Sequence, residues 1–393
     1  MILEEDAALV RAAIRSVSVP SKELPDRWAS KHVQLNSDVA EYYDPPSSPY
    51  FIQPFRRFFD NSRKEICLVA PPGTGKTTLF EAAICYIAHQ DPGDVLVTSK
   101  NEDLLNQWLD TRLNRILARC KPLADYLPRS SDRQKRLLLL RHMFIAARAA
   151  NEASLQQISV RWALGDECWL WDPGLIGYLR KRLHDRWNGR TILISQAGHA
   201  KTEWESVCME GDQYHYHWIC ECGVRQPFDF DTKLKWDGDE DKNKIDWKTV
   251  QDTTRLVCPF CNHTYMDTPE NRRALSSGAT WDMTAAGEDP THETYCIPAL
   301  ANFRVPWFTL VREFLRARRA WKLGDRLPWF QFVTQRQSKF FTADHESEES
   351  ELKVATYSLG SYGGGQKTDG EMVRFMTIDR QQNHWWADRK SVV

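Results

Sequence analysis

No run of about eighteen apolar residues occurs anywhere in the 393-residue chain, so nothing in it reads as a membrane-spanning helix. The opening segment, MILEEDAALVRAAIRS, is acidic and amphipathic. It lacks the basic start and apolar block of a secretory signal. A charge excess is missing too. The formal net charge is −1, so the chain is no polycation, and affinity for nucleic acid has to come from local patches. There is no internal repeat and little low-complexity sequence. A disulfide framework is also absent from the pattern. Ten Cys in a chain of this size, four of them in two close pairs, fit a reducing compartment with a metal site.

What is present is enough for two or three domains with a sizeable core, since 42% of the residues are hydrophobic. The 16 Trp read mainly as core and contact residues. Charge is distributed unevenly. Arg112 to Arg148 holds ten Lys or Arg against Asp125 and Asp132, and Arg180 to Arg190 holds five against Asp185. Acidic runs follow at Asp237 to Asp241 and Asp344 to Glu351.

Along the chain, a helical opening ends in Pro45-Pro46-Ser47-Ser48-Pro49, a turn or linker. Ile66 to Ala70 is a short apolar run of buried-strand type, and a helix is predicted from the following loop to about Ala88. Val95 to Thr98, Ile158 to Leu164 and Thr191 to Ile194 read as further strands. Leu104, Leu105, Trp108, Leu109, Leu113, Ile116 and Leu117 fall at helical spacing. Strands alternating with helices predict an α/β fold, a mainly parallel sheet covered by helices. Residues 208 to 281 are richer in turns and charge, and Phe303 to Phe341 is again helical and basic. Gly360 to Gly370 reads as a flexible linker, followed by a strand at Arg374 to Asp379 with Trp385-Trp386-Ala387 as its hairpin partner.

The chemistry concentrates at Ala70-Pro71-Pro72-Gly73-Thr74-Gly75-Lys76-Thr77-Thr78. This is a phosphate-binding loop of the P-loop NTPase type, with Ala in place of the usual first Gly. Gly73 and Gly75 allow main-chain N–H groups to curl around phosphate oxygens, and the next helix aims its positive end at them. In that reading Lys76 reaches the β- and γ-phosphates of ATP, and the Thr77 hydroxyl serves Mg²⁺. Val160 to Glu167 is the matching acidic strand. Asp166 would hold Mg²⁺, and Glu167 would polarise the attacking water as general base. Ser195 and Gln196 end the next strand, where ligands of parallel sheets bind, and are candidates for sensing the γ-phosphate. Gln53, ahead of the first strand, is a candidate for hydrogen bonding adenine.

Cys220-Glu221-Cys222 and Cys258-Pro259-Phe260-Cys261 look like the two knuckles of a zinc ribbon, with His217 as an alternative ligand. Four thiolates suit Zn²⁺, and such a site can supply the folding energy of a small module. The other six Cys read as core.

Taken in order, these parts resemble the GpA-like large terminase subunits of tailed phages. The likeness runs from about Pro49 onward. It takes in the phosphate loop, the helix around Gln107 to Leu117, and Ala147 to Gln157 leading into Gly165-Asp166-Glu167-Cys168. It then includes the Cys pairs, Arg273 to Trp281 with its Gly278-x-x-Trp281, Tyr295 to Leu300, and the helix at Val311 to Leu323. The Cys pairs placed after the strand at Thr191, followed by the Gly-x-x-Trp stretch, are the most specific part.

The resemblance implies an ATP-hydrolysing motor that packages duplex DNA into a procapsid, in the cytoplasm of a bacterial host. It would work with a small terminase subunit and the portal, as a homo-oligomer when packaging, and without a membrane. The basic stretches become candidates for DNA contact or for an arginine acting on a neighbour's ATP. The expected layout is a helical segment and linker at 1–48, an ATPase core at 49–207, and a zinc-ribbon-like insertion at 208–281. A helical return to the ATPase domain would follow at 282–358, then a linker and the first strands of a nuclease domain at 359–393. Nuclease activity is not expected of this chain. Two other readings fit the same residues: a helicase-like DNA-dependent ATPase, or a zinc-stabilised interaction module without turnover of its own.

Overall fold

The structure is a computed structural model. It describes residues 22–35, 41–127, 133–134, 137–140, 142–156, 158–239, 245–342, 373–380 and 385–392. Residues 1–21, the acidic run from Asp344 and the Gly-rich linker lie outside the described residues; within the segment expected as helical at 1–48, Pro25–His32 is a helix. The chain divides into a large unit, Met1–Thr342, and a small one, Ala343–Val393.

The large unit is built on one eleven-stranded sheet. Its strands are β1 (Glu65–Val69), β2 (Val95–Ser99), β3 (Arg133–Gln134), β4 (Leu137–Leu140), β5 (Met143–Ala149), β6 (Trp162–Asp166), β7 (Arg190–Ser195), β8 (Gly211–Ile219) and β9 (Arg225–Pro227). A separate small sheet holds β10 (Leu234–Lys235), β11 (Arg255–Val257) and β12 (Thr264–Met266); β13 (Thr280–Ala285) and β14 (Asp289–Cys296) return to the large one. The order across the large sheet is β13-β8-β14-β1-β7-β6-β2-β5-β4-β3, with β9 paired to β8. From β8 to β5 every neighbouring pair is parallel, and β13, β9, β4 and β3 are antiparallel additions at the edges.

The centre of the sheet is covered on both faces, which is why its strands read as continuous apolar runs. On β1, Ile66 and Leu68 enter one core while Cys67 and Val69 enter the other. On β7, Ile192 and Ile194 face the first core and Leu193 the second. Each such buried aliphatic side chain contributes about 1.5–3 kcal/mol. The helix Lys76–Gln90 packs in the first core through Leu79, Phe80, Ile84 and Ile87. Glu102 to Arg119 is helical as its spacing predicts, with a π turn at Leu109–Leu113.

Two expectations change. The segment expected as an insertion from residue 208 is not wholly outside the ATPase sheet. β8 sits inside the large sheet, between β13 and β14, and the chain between Ile219 and Thr280 leaves that sheet except at β9, which pairs with β8. Tyr214, Tyr216 and Trp218 share the face that packs in the first core, while His215 and His217 lie on the other face, and the many polar residues around them hide the strand. Likewise 282–358 begins with strand before it becomes helical at Trp307–Lys322.

In the small unit, Val373–Arg380 and Trp385–Val392 form an antiparallel hairpin with Asp379 opposite Trp386.

Candidate functional site

The phosphate loop leaves the carboxyl end of β1 between β14 and β7. The Ala70 N–H donates to the Ser195 carbonyl at the end of β7 (2.8 Å), and Ile297 N–H donates to the Val69 carbonyl (2.9 Å). Both neighbouring strands therefore clamp the start of the loop. Gly73 and Gly75 have φ of +79° and +96°, a region in which any side chain is strained. Within the loop, the Thr74 hydroxyl donates to the Pro71 carbonyl (2.8 Å). The Tyr50 hydroxyl reaches in from outside to the Thr74 carbonyl (3.0 Å). The helix then starts at Lys76, with Thr77 and Thr78 half-buried in its first turn. Main-chain N–H groups at such a start form an anion site.

The Lys76 ammonium is folded back onto the Ala70 carbonyl (2.7 Å) and is 7% exposed. Burial pulls it below its usual pKa, and the nearby Glu167 and Asp166 charges oppose that shift. On the other side, burial and then the Glu167 charge push the Asp166 carboxyl up to about 6, against the pull of Lys76 and of the Glu167 N–H. Asp166 accepts that N–H at 3.0 Å. One lysine and two carboxylates thus converge at the carboxyl ends of β1 and β6, with β7 between them. Glu167 has φ +51° and begins a short helical turn. A non-Gly residue there costs about 1–2 kcal/mol, so the surrounding structure fixes it. Its carboxylate accepts the Trp169 indole N–H at 2.9 Å.

Ser195 and Gln196 are both buried beside this centre. Each already has a structural task. The Ser195 hydroxyl accepts the Trp169 N–H (3.1 Å), and the Gln196 carbonyl accepts the Trp204 indole N–H (3.0 Å). The Gln53 side chain lies beside the Tyr295 hydroxyl, which donates to Glu293 at 2.8 Å. Several basic candidates have partners within the chain. Arg190 is 4% exposed and donates to the carbonyls of Phe58 and Arg63. Arg180 forks onto Glu65 and also binds Glu210. Arg148 donates to the carbonyls of Ser154 and Gln156, and Arg112 pairs with the buried Glu81.

The four Cys of the two pairs come together. All four Sγ atoms lie within 4.8 Å of one another, with Cys220–Cys261 at 3.6 Å and Cys222–Cys258 at 3.9 Å. A tetrahedral metal with metal–sulfur bonds of about 2.3 Å has edges of about 3.8 Å, so these atoms could hold one. Burial raises the Cys258 thiol, but N–H groups of Cys261 and Phe260 and the Gln226 amide outweigh it and bring it down to about 6. His217 stands apart from this group: its Nδ1 meets the His215 carbonyl at 2.9 Å.

Two residues near the loop escaped the sequence reading. Tyr50 was legible only as part of an aromatic stretch, and Trp169 only as one Trp among many. The Trp281 indole, in the Gly-x-x-Trp stretch, donates to the Tyr50 carbonyl (3.1 Å). Among the described residues, no helix is long and apolar enough to cross a membrane.

Residues 38–281 match the family described as phage terminase large subunit gpA, ATPase domain. A comparison with curated proteins gave no match. Among solved structures, the chain is similar to the large terminase ATPase domain of Thermus phage P74-26, at 11% identity and a TM-score of 0.43, covering 73% of this chain and 92% of that one. It is also similar to the large terminase of bacteriophage HK97, at 15% identity and a TM-score of 0.39, covering 48% of this chain and 40% of that one. The family match spans well over half of the sequence, and by it the chain belongs to the gpA family of phage terminase large subunits, in their ATPase domain.

Proposed function

We propose that this chain binds ATP with Mg²⁺ at Ala70 to Thr78, hydrolyses it, and couples the hydrolysis to moving duplex DNA into a procapsid. The observation that carries this reading is the convergence of Lys76 with Asp166 and Glu167 at the carboxyl ends of the central parallel strands. Lys76, now on the Ala70 carbonyl, would swing onto the β- and γ-phosphates. The N–H groups around Gly73 and Gly75 would hold the phosphate chain. Thr77 and Asp166 would carry Mg²⁺, which supplies charge neutralisation on the phosphates. Glu167 would accept a proton from the water that attacks the γ-phosphorus as the bond to the ADP oxygen breaks. Ser195 and Gln196 border the site as γ-phosphate sensors, and Gln53 remains the candidate for adenine.

The four Cys fit Zn²⁺ and would make the excursion between β8 and β13 a zinc-stabilised ribbon module. By family, duplex DNA, a small terminase subunit and the portal are the partners, with several copies of the chain acting together. Arg180 and Arg190 are poor candidates for touching DNA or a neighbour's ATP, because their charges are used internally.

The test is the ATPase rate without DNA, with duplex DNA and with single strands, beside a strand-separation assay. Stimulation by duplex without strand separation supports the packaging motor. Strand separation would favour a helicase instead, and an absence of turnover in all three would favour an interaction module.

A further inference from the structure

We infer that Trp169 is a positioning residue for the general base: its indole N–H sets the orientation of the Glu167 carboxylate. The inference rests on the assignment of Glu167 above. A water-polarising carboxylate has to be aimed, and a glutamate has three rotatable bonds with which to miss. Glu167 is held at its main chain by the left-handed turn, and its side chain is held at Oε2 by Trp169 Nε1, at 2.9 Å. One carboxylate oxygen is thereby engaged by a neutral donor.

Trp169 is half-buried and is held at its main chain, at its Cβ and at its ring. Its main-chain N–H is fixed by the Ser195 hydroxyl at the end of β7. Gly198 leaves room for it, since a Cβ added there would lie 3.2 Å from the Trp169 Cβ. The indole tilts against the Phe330 ring at 6.2 Å, and Phe330 stacks on His199 at 4.4 Å. An indole pinned at main chain and ring offers its N–H in one direction, so the donor is preorganised and the carboxylate follows it. Phe330 belongs to the helix Leu327–Phe332, so the aim of the base depends on where that helix sits. Ser195 thereby acquires a role beside the nucleotide site: it fixes Trp169.

The experiment compares Trp169→Phe and Trp169→His with the parent chain and with Glu167→Gln in steady-state ATP hydrolysis, alongside ATP affinity and melting temperature. Phe keeps a ring for Phe330 but has no donor. His keeps an aromatic ring N–H. Expected for Trp169→Phe is a fall in kcat of about tenfold or more, with ATP affinity and melting temperature near those of the parent, and partial recovery in Trp169→His. A kcat for Trp169→Phe within twofold of the parent, or above it, overturns the inference, as does a loss that His does not recover. Parent-like turnover in Glu167→Gln would sink the assignment of the base instead, so the two failures are distinguishable.

Discussion

The Tyr50 hydroxyl donates to the Thr74 main-chain carbonyl at 3.0 Å, and the tyrosine is fully buried. This contact ties the tip of the phosphate loop to the segment that precedes the first strand. The same tyrosine is tied to the sheet edge, since its own carbonyl accepts the Trp281 indole. Tyr50→Phe keeps the packing and removes one hydrogen bond, worth about 0.5–1.5 kcal/mol net. If that energy holds the loop in its binding shape, KM for ATP rises about 2- to 10-fold while kcat changes little. Steady-state kinetics at saturating Mg²⁺ checks this; an unchanged KM would reduce the contact to packing.

Lys76→Ala and Glu167→Gln should fail in different ways. Lys76 is the buried cation beside the phosphate loop, so its loss removes both binding and turnover. Glu167→Gln keeps size and polarity, so nucleotide affinity survives while kcat falls by about 10²–10⁴, the range for removing a general base. Equilibrium nucleotide binding measured beside turnover separates the two.

How much of this was legible beforehand depended on whether a signal was local. The phosphate loop is nine consecutive residues whose types follow from its geometry, and β1, β2 and β7 announce themselves as apolar runs because both faces are buried. β14 does not. His292, Glu293 and Thr294 are almost wholly buried there, a composition that resembles a surface loop. They are tolerable inside because each has a partner: His292 meets Cys67 at 3.2 Å, Glu293 takes Arg57 and Arg63, and Thr294 donates to the Cys208 carbonyl. Those partners lie up to 236 positions away in sequence, so no window along the chain reveals them. The same holds for Arg180 and Arg190, which looked like nucleic-acid contacts until their carboxylate and carbonyl partners appeared. Trp169 stands two residues from Glu167, yet an indole aimed at a carboxylate is a matter of rotamer, on which sequence is silent.

Purified protein should carry one Zn²⁺, held by Cys220, Cys222, Cys258 and Cys261. Cys261→Ser removes one edge of the cluster. Metal content should fall well below one, and the chain between Ile219 and Thr280 should become protease-sensitive. Most of the ATPase sheet should survive, because that excursion contributes β9 alone to it. Elemental analysis with limited proteolysis decides the matter; a metal-free parent protein of equal protease resistance would contradict it.

Asp166 predicts a stability that depends on pH in an unusual sense. Its carboxyl is raised from 3.8 to about 6, chiefly by burial. A raised carboxyl means that the folded state holds its proton where the unfolded state has lost it. Below about pH 4 both states are protonated and the group is neutral in its effect. Between about 4 and 6 the unfolded state alone ionises, so stability falls as pH rises. Above about 6 the folded state carries the buried charge, and the full penalty of about 1–3 kcal/mol is present. Asp166→Asn has no charge to bury. Without nucleotide or divalent metal, it should therefore melt at a higher temperature than the parent at pH 7.5, with the gap narrowing as pH falls below about 6 and closing near about 4. Melting curves at half-unit steps test this. A gap that is constant with pH would mean that the substitution stabilises through packing and that Asp166 titrates normally. With Mg²⁺ and a non-hydrolysable nucleotide present, the sign should reverse, because the carboxylate that destabilises the empty site is the one expected to hold the ion.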